Sequence, residues 1–379
     1  MGDTTGYLIV GLCATTVTFL STPVVRAVAR TKNWVAMPSE RKVHTVPTPD
    51  VGGIAMFAGV FCALFLAWRM DRFSPLFDGN SELIGVLLGA MVVLGIGVLD
   101  DIQEVSAPAR VFGVIVTGMI LVTAGVTMFY FRIPFLGVIQ LSNDWVPIVT
   151  IVWLLGMTQA INLIDGLDGL AAGIVAIGST AFFIYSQHLS GLGLLSEPNI
   201  GPLVAIITVG VCIGFLPFNF NGASIFMGDS GAYLLGFLVA VSTSVVGGRA
   251  DPTTQAFSGQ TYFFLAPLAI PLIILGVPVF DVAFAIARRL INRQGLAHAD
   301  KGHLHHRLIA LGHGPRRAVV ILWSWTALLS AFVLYPVFNK SVKNFAPFGL
   351  VALVLFLYTV LHPDLPGKKE DESNRQKVE

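Results

Sequence analysis

Acidic residues stand at several places in this chain beside long apolar runs, where an unpaired carboxylate is energetically costly. The most concentrated case is segment 162–169, Asn-Leu-Ile-Asp-Gly-Leu-Asp-Gly, which lies between the apolar runs 146–161 and 170–185. If the segment is helical, Asp165 and Asp168 lie on one face and can share a cation. The pattern therefore indicates cation binding, although a polar turn between two helices has the same composition.

Two more acidic segments can take part in the same chemistry. Asp100 and Asp101 follow an apolar run, and adjacent carboxylates repel each other unless a cation or a shared proton lies between them. The pair predicts a divalent metal site or one acid with a raised pKa, unless a solvated loop holds both acids. Asp229 lies in segment 226–231, Phe-Met-Gly-Asp-Ser-Gly, at the start of another apolar run. It is a further acid for the site, unless Asp229 or Ser230 is the N-cap of the following helix.

Basic residues collect at two other places. Five of the eight histidines lie between residues 298 and 313, and segment 303–307, His-Leu-His-His-Arg, offers donors for phosphate or nucleotide oxygens. A zinc site is the alternative, but no cysteine lies nearby, and the acids favour a hard cation such as Mg²⁺. The second place holds Lys42 and His44. These residues can bind an anion, or they can simply follow the charge distribution of a membrane protein.

The elements that position these residues are membrane spans. The chain of 379 residues is 55% hydrophobic and 12% charged, with a mean hydropathy of +0.78, which excludes a water-soluble globule. A helical span needs about 20 mostly apolar residues. The sequence predicts an all-α polytopic membrane protein with about eleven spans, at 6–27, 51–68, 82–99, 109–128, 146–162, 170–188, 200–217, 231–247, 261–287, 317–337 and 345–362.

The distribution of positive charge predicts the orientation. With eleven spans, 17 of the 23 Lys and Arg residues fall on one side, which is therefore cytoplasmic. The N-terminus is then outside and the C-terminus inside. The net charge of +1 indicates no nucleic-acid partner. We expect one catalytic membrane domain, 1–362, and a disordered charged cytoplasmic tail, 363–379.

The acidic segments and the histidine cluster all fall in loops of that cytoplasmic side. Incidental acids would scatter to both faces of the membrane. A site at this face with acids for a metal and bases for phosphate suits a reaction between a phosphorylated donor and a lipid, in which charge neutralisation matters most.

In this order, Asp100-Asp101 and segments 162–169, 226–231 and 303–307 resemble the motif series of the polyprenyl-phosphate N-acetylhexosamine-1-phosphate transferases. The resemblance covers about 41–308. It implies a multi-pass enzyme of the bacterial inner membrane that requires Mg²⁺, with Mn²⁺ as a substitute, and embeds its site in the lipid bilayer. Such an enzyme moves a sugar 1-phosphate from a UDP-sugar to undecaprenyl phosphate and releases UMP, as the first membrane step of a cell-envelope polysaccharide pathway.

The same resemblance favours a particular donor. His-Leu-His-His-Arg is similar to the branch of the family that uses UDP-GlcNAc. The peptidoglycan branch, which uses UDP-MurNAc-pentapeptide, has three consecutive histidines and a Lys soon after its Asp-Asp. Here Gln103 and Glu104 follow the pair. UDP-GlcNAc is therefore the expected donor, and the peptidoglycan donor is the alternative. A homodimer is one assembly that the resemblance allows.

Residue roles also follow from the resemblance. Asp229 would be the principal Mg²⁺ ligand, with Asp100 and Asp101 near the metal and the lipid phosphate. One of that pair would deprotonate the acceptor phosphate. Asp165 and Asp168 would position the nucleotide. The expected substrate-binding residues are Lys42, His44, Arg110, Asn162, Asn219, Phe226, His303, His305, His306 and Arg307.

Within that substrate-binding set, His303, His305, His306 and Arg307 would bind the diphosphate or the sugar. Asn219 would help to hold the donor, and Phe226 would stack on uracil. A different class of protein, an ion-coupled transporter, also carries acids in a polytopic fold. Acids near the membrane midplane and an inverted repeat would favour it. The acids here lie at span ends, and the sequence has no internal repeat.

Overall fold

A computed structural model describes residues 4–37, 46–133, 137–195, 197–247, 276, 308–309, 311–338 and 345–361 of the chain. Eleven α-helices lie within these residues: α1 (Thr5–Thr31), α2 (Gly53–Trp68), α3 (Ser74–Phe77), α4 (Glu82–Gln103), α5 (Ala107–Thr123), α6 (Trp145–Ile164), α7 (Leu170–Gly191), α8 (Gly201–Asn219), α9 (Gly228–Gly247), α10 (Pro315–Phe338) and α11 (Ala346–Leu361).

Two small antiparallel ribbons accompany the helices. Strand β1 (Val35–Ala36) pairs with β2 (Thr48–Pro49), and β3 (Tyr130–Ile133) pairs with β4 (Gly137–Gln140). The expectation of an all-α protein is therefore correct for the spans and misses these ribbons. The first ribbon matters for the site because it fixes the chain that enters α2.

The helices confirm a polytopic membrane protein. Among the described residues, seven helices are long and apolar enough to cross a membrane: α1, α4, α6, α7, α8, α9 and α10. An eighth span arises if α2 is counted with the 3₁₀ turn and α3 that follow it across a bend of 91°.

Ten of the eleven predicted windows coincide with helices, and window 261–287 lies outside the described residues apart from residue 276. The count of eleven spans is not reached among the described residues. The reason is length, since α5 and α11 have only 17 and 16 residues, fewer than the ~20 that a straight crossing needs.

Helix α9 is the centre of the bundle. It packs against α2, α4, α6, α7 and α8, and all of its residues except Asp229 are buried. A helix that is apolar all round is the kind that a bundle encloses. The one carboxylate at its N-terminus is therefore the polar feature around which the neighbouring helix ends are arranged.

Glycines let α4 and α6 approach α9 closely. A Cβ atom added to Gly97 of α4 would lie 2.3 Å from the Cα of Ser230, and one added to Gly236 of α9 would lie 2.5 Å from the Cα of Thr158 in α6. Both distances are far below van der Waals contact. These glycines thus bring the end of α4 and the end of α6 to the N-terminal end of α9.

Candidate active site

The end of α4 and the start of α5 hold Asp100 between two donors. The backbone N–H of Val105 donates to Oδ1 of Asp100 at 2.7 Å, and Nη1 of Arg110 donates to Oδ2 at 2.9 Å. The side chain of Asp100 is 5% exposed and that of Arg110 is 32% exposed. A charge-assisted hydrogen bond of this kind is stronger than a neutral one. Arg110 therefore orients Asp100 and keeps part of its guanidinium at the surface of the site.

Arg110 also reaches the carboxylate of α9. Its Nη1 lies 4.0 Å from Oδ2 of Asp229, and the side-chain amide of Asn162, near the end of α6, donates to Oδ1 of the same carboxylate. The phenol of Tyr233, one turn further along α9, interacts with the guanidinium of Arg110. Four helices thus bring Asp100, Arg110, Asn162 and Asp229 together, and the roles expected of them in catalysis and substrate binding stay predictions.

Asp101, the neighbour of Asp100, faces a different partner. Its two carboxylate oxygens accept hydrogen bonds from the backbone N–H groups of Asp229 at 2.7 Å and Ser230 at 3.1 Å. The first N–H groups of a helix have no partner within it, and a carboxylate there is favourable. Asp101 therefore caps α9 from another helix. The alternative in which Asp229 or Ser230 caps α9 is wrong, because α9 already begins at Gly228.

Segment 165–169 is a turn and not part of a helix. Helix α6 ends at Ile164, α7 begins at Leu170, and Gly169 has a φ of +76°, which glycine adopts without strain. Asp165 and Asp168 therefore do not share a helix face. The polar turn that the sequence left open is the correct description, and its two acids have separate surroundings.

Asp168 holds this turn to the loop between α8 and α9. Its Oδ2 accepts hydrogen bonds from the backbone N–H groups of Gly222 at 3.0 Å and Ala223 at 2.9 Å. A carboxylate that accepts two such bonds fixes the loop backbone. The expected role of Asp168 in positioning the nucleotide stays a prediction, and the structure adds a role in holding the loop.

Asn219 makes a second link between the same two segments. Its Oδ1 accepts a hydrogen bond from the backbone N–H of Gly169 at 3.0 Å, and its Nδ2 donates to the carbonyl of Ile225 at 3.1 Å. The residue is 2% exposed, so both ends of its amide serve the protein. A direct contact between Asn219 and a donor stays a prediction.

Asp165 lies partly buried at the end of α6, beside the other acids. Loss of contact with water raises the pKa of Asp165 well above its usual range, and the nearby carboxylates of Asp50, Asp229 and Asp168 raise it further. Such a carboxyl group binds a proton or a cation more readily than an isolated one. A perturbed acid among other polar groups is typical of a functional site.

Asp50 joins this site and was not assigned a role from the sequence. The backbone of residues 49–53 pairs with that of Phe226 and Met227 through three hydrogen bonds of 2.8 to 3.0 Å. The carbonyl oxygen of Asp50 consequently lies 2.6 Å from the place where a Cβ on Gly228 would stand. The only sequence signal was an acid before Gly52-Gly53.

The backbone of Phe226 makes this pairing, and the stacking of its ring on uracil stays a prediction.

Several expected residues lie outside the described part of the chain: Lys42, His44, His303, His305, His306 and Arg307. Among the residues that are described, no three or more His, Cys, Asp or Glu side chains form a group that could hold a metal ion. The expected ligands Asp100 and Asp101 have other partners here, since Asp100 faces Arg110 and Asp101 caps α9. The protein alone therefore does not build a complete metal cage from these residues.

An apolar helix bundle whose central helix presents one carboxylate to a cluster of charged and amide groups is a polytopic membrane protein with a polar site at its helix ends. The family model described as glycosyl transferase family 4 matches residues 83–247, a range that includes all five predicted catalytic acids. The chain belongs to glycosyl transferase family 4. This membership confirms the resemblance drawn from the motifs.

Named relatives agree with this membership. The decaprenyl-phosphate N-acetylglucosaminephosphotransferase of Mycobacterium leprae (strain TN) is 36% identical over 85% of this chain and 81% of its own length. The protein of that name from Mycolicibacterium smegmatis is 33% identical over 93% of this chain and 87% of its own length. The undecaprenyl-phosphate alpha-N-acetylglucosaminyl 1-phosphate transferase of Escherichia coli (strain K12) is 25% identical over 88% and 84%.

Proposed function

We propose that this chain transfers N-acetylglucosamine 1-phosphate from UDP-GlcNAc to a polyprenyl phosphate and releases UMP. The relatives named for this transfer are 33 to 36% identical to it over most of both chains. The observation that carries the proposal is the placement of Asp229. It is the one residue of α9 that is not buried, and it lies with Asp100, Arg110 and Asn162 at the end of an apolar bundle.

The chemistry needs groups that neutralise and align phosphates. An oxygen of the lipid phosphate attacks the phosphorus next to the sugar, a new P–O bond forms, and the bond from that phosphorus to the bridging oxygen breaks, so UMP leaves with that oxygen. Arg110 offers a fixed cation to a phosphate oxygen, and Asp100 fixes its direction. Prearranged charge of this kind is the main contribution a protein makes to phosphoryl transfer.

A hard cation suits this set of oxygen donors. Mg²⁺ is commonly held by one or two carboxylates together with substrate phosphates and water, and not by a cage of protein ligands. Asp229 is the residue that would hold it, and substrate oxygens would complete its shell. When bound, the cation, Mg²⁺ or Mn²⁺, supplies positive charge for the transferred phosphate. Asp100 and Asp101 already accept hydrogen bonds, and their carboxylates keep further lone pairs with which they would join the shell.

The acceptor and the membrane arrangement belong to the same proposal. A polyprenyl chain lies in the bilayer, and its phosphate reaches the site at the membrane surface, which we place on the cytoplasmic side of a bacterial inner membrane. The chain then crosses that membrane about eleven times, with its N-terminus outside. The 17 basic residues on one side support this orientation. A homodimer remains one assembly to test.

The test is a donor panel. Purified protein in detergent receives undecaprenyl phosphate, Mg²⁺ and one UDP-sugar at a time, and UMP release is measured. We expect kcat/KM for UDP-GlcNAc to exceed that for UDP-MurNAc-pentapeptide. A ratio in favour of the pentapeptide donor would move the chain to the peptidoglycan branch, and a transporter would release no UMP from any donor.

A further inference from the structure

Trp323 of α10 lies against the start of α7 and the end of α8. Its Nε1 donates a hydrogen bond to the carbonyl of Leu170 at 3.3 Å, and its ring stacks on Phe220 with centroids 5.2 Å apart and an interplanar angle of 29°. A Cβ added to Gly173 would stand 1.9 Å from the indole Cε2. The glycine at 173 thus leaves the space that the indole fills.

Trp323 contacts Leu170, which directly follows the turn at 165–169, and Phe220 of the loop at 219–225. These two segments are already linked to each other. The turn at 165–169 and the loop at 219–225 are joined by Asn219, which bonds Gly169, and by Asp168, which bonds the loop backbone. We call these two segments the donor platform, because the turn carries Asp165 and Asp168, which are expected to position the nucleotide, and the loop is bonded to Asp168. Trp323 adds a third link, and this link comes from a helix later in the chain.

We propose that Trp323 is a positioning residue that braces the donor platform against α10, and so holds Asp165 and Asp168 in place for the UDP-sugar. This inference rests on the proposed function. Its physical basis is that a turn held by few bonds shifts when one of them is removed. A displacement of about 1 Å in a positioning group can cost on the order of 100-fold in rate.

Two substitutions separate the parts of this contact. Trp323→Phe keeps an aromatic ring to stack on Phe220 and removes the N–H donor, whereas Trp323→Leu removes both. Trp325→Phe is the matched control, because Trp325 lies on the same helix, is also partly buried, and has no assigned part in the platform. UDP-GlcNAc is varied at saturating undecaprenyl phosphate, and the lipid is then varied at saturating donor.

We expect the donor KM to rise about fivefold in Trp323→Phe, the size expected for one lost hydrogen bond, and to rise further in Trp323→Leu. The lipid KM should stay unchanged in both variants. Trp325→Phe should keep both constants. The binding of UDP, measured by titration calorimetry, should weaken by the same factors as the donor KM.

The outcome that overturns the inference is a donor KM and a UDP affinity in both Trp323 variants equal to those of the wild type, even if kcat or the melting temperature falls. An equal rise of the donor and lipid KM values would also overturn it, because general loosening of the fold would explain both. The wild-type reaction in the same experiment distinguishes failure of the Trp323 proposal from failure of the proposed transferase function. If the wild type releases no UMP, the proposed function fails, and the brace fails with it.

Discussion

Asp100 and Asp101 are neighbours in the chain with different surroundings. Successive residues of a helix point about 100° apart, so Asp100 faces Arg110 while Asp101 faces the first N–H groups of α9. The pair is therefore not a single site with two equal acids. Asp100 belongs with the charged groups that meet the substrate, and Asp101 fixes the helix that presents Asp229.

Arg110 is the residue whose removal should affect the charged cluster most directly. Arg110→Ala removes the cation shared by Asp100 and Asp229 and leaves a buried carboxylate without its partner. We expect kcat/KM to fall on the order of 100-fold, as when a charge-stabilising donor is lost. Arg110→Lys keeps the charge and should retain more activity. Wild-type kcat/KM in Arg110→Ala would contradict this assignment.

At the scale of elements, the sequence predicted the helices well and their mutual contacts less well. Long apolar runs define spans, and acids at their ends indicate where the charged cluster forms. Asn162 and Arg110 were expected there only from the motif resemblance. The turn at 165–169 was left open because a short polar segment fits a turn or a helix. The approach of Asp50 depends on backbone pairing of residues 49–53 with 226–227, and no local pattern encodes that pairing.

The roles of Asp101 in α4 and Trp323 in α10 were not predicted from the sequence for the same reason. The capping of α9 by Asp101 joins residues far apart in sequence, so neither local spacing nor helix propensity indicates it. Trp323 looks like an ordinary apolar residue of a span until Leu170 and Phe220 are placed beside it. Sequence patterns identify charged residues that are costly to bury. They miss residues whose role depends on a contact with a residue distant in sequence.

The packing of α4 on α9 provides a test at this scale. Gly97→Ala places a methyl group 2.3 Å from the Cα of Ser230, and backbone atoms cannot rotate away. We expect destabilisation of about 1–3 kcal/mol, the usual cost of overpacking, measured by thermal unfolding in detergent.

Gly95→Ala is the control for this test, because it lies two residues away on the same helix with no heavy atom within 4 Å of an added Cβ. It should leave stability equal or slightly higher, since alanine favours a helix by about 1 kcal/mol over glycine. Equal melting temperatures for the two variants would refute the close contact.

In the whole molecule, a single active site requires that the acidic segments lie at the same face of the membrane. Side-chain hydrogen bonds join the end of α4 to the start of α9, and the turn at 165–169 to the loop at 219–225 that leads into α9. Segments joined by such bonds cannot lie on opposite faces of a bilayer. The cytoplasmic assignment of that face comes from the charge distribution alone.

Cysteine labelling tests this orientation. In a variant without the three native cysteines, Ser106→Cys and Asn221→Cys should react with a membrane-impermeant maleimide only from the cytoplasmic side. Asp78→Cys, at the exposed bend after α3, should react only from outside. Labelling of Ser106→Cys and Asp78→Cys from the same face would be incompatible with α4 as a span. If all three cysteines were labelled from the opposite sides, the predicted orientation would be inverted, and the arrangement of the site would be unaffected.

The central claim is that Asp229 and a divalent cation act together in the transfer of a sugar 1-phosphate to a lipid phosphate. The most direct measurement is UMP release from UDP-GlcNAc and undecaprenyl phosphate by wild-type protein and by Asp229→Asn, each with Mg²⁺ and with excess EDTA. We expect release only by the wild type with Mg²⁺, and a melting temperature for Asp229→Asn close to that of the wild type. Full release in EDTA, or by Asp229→Asn, would contradict it.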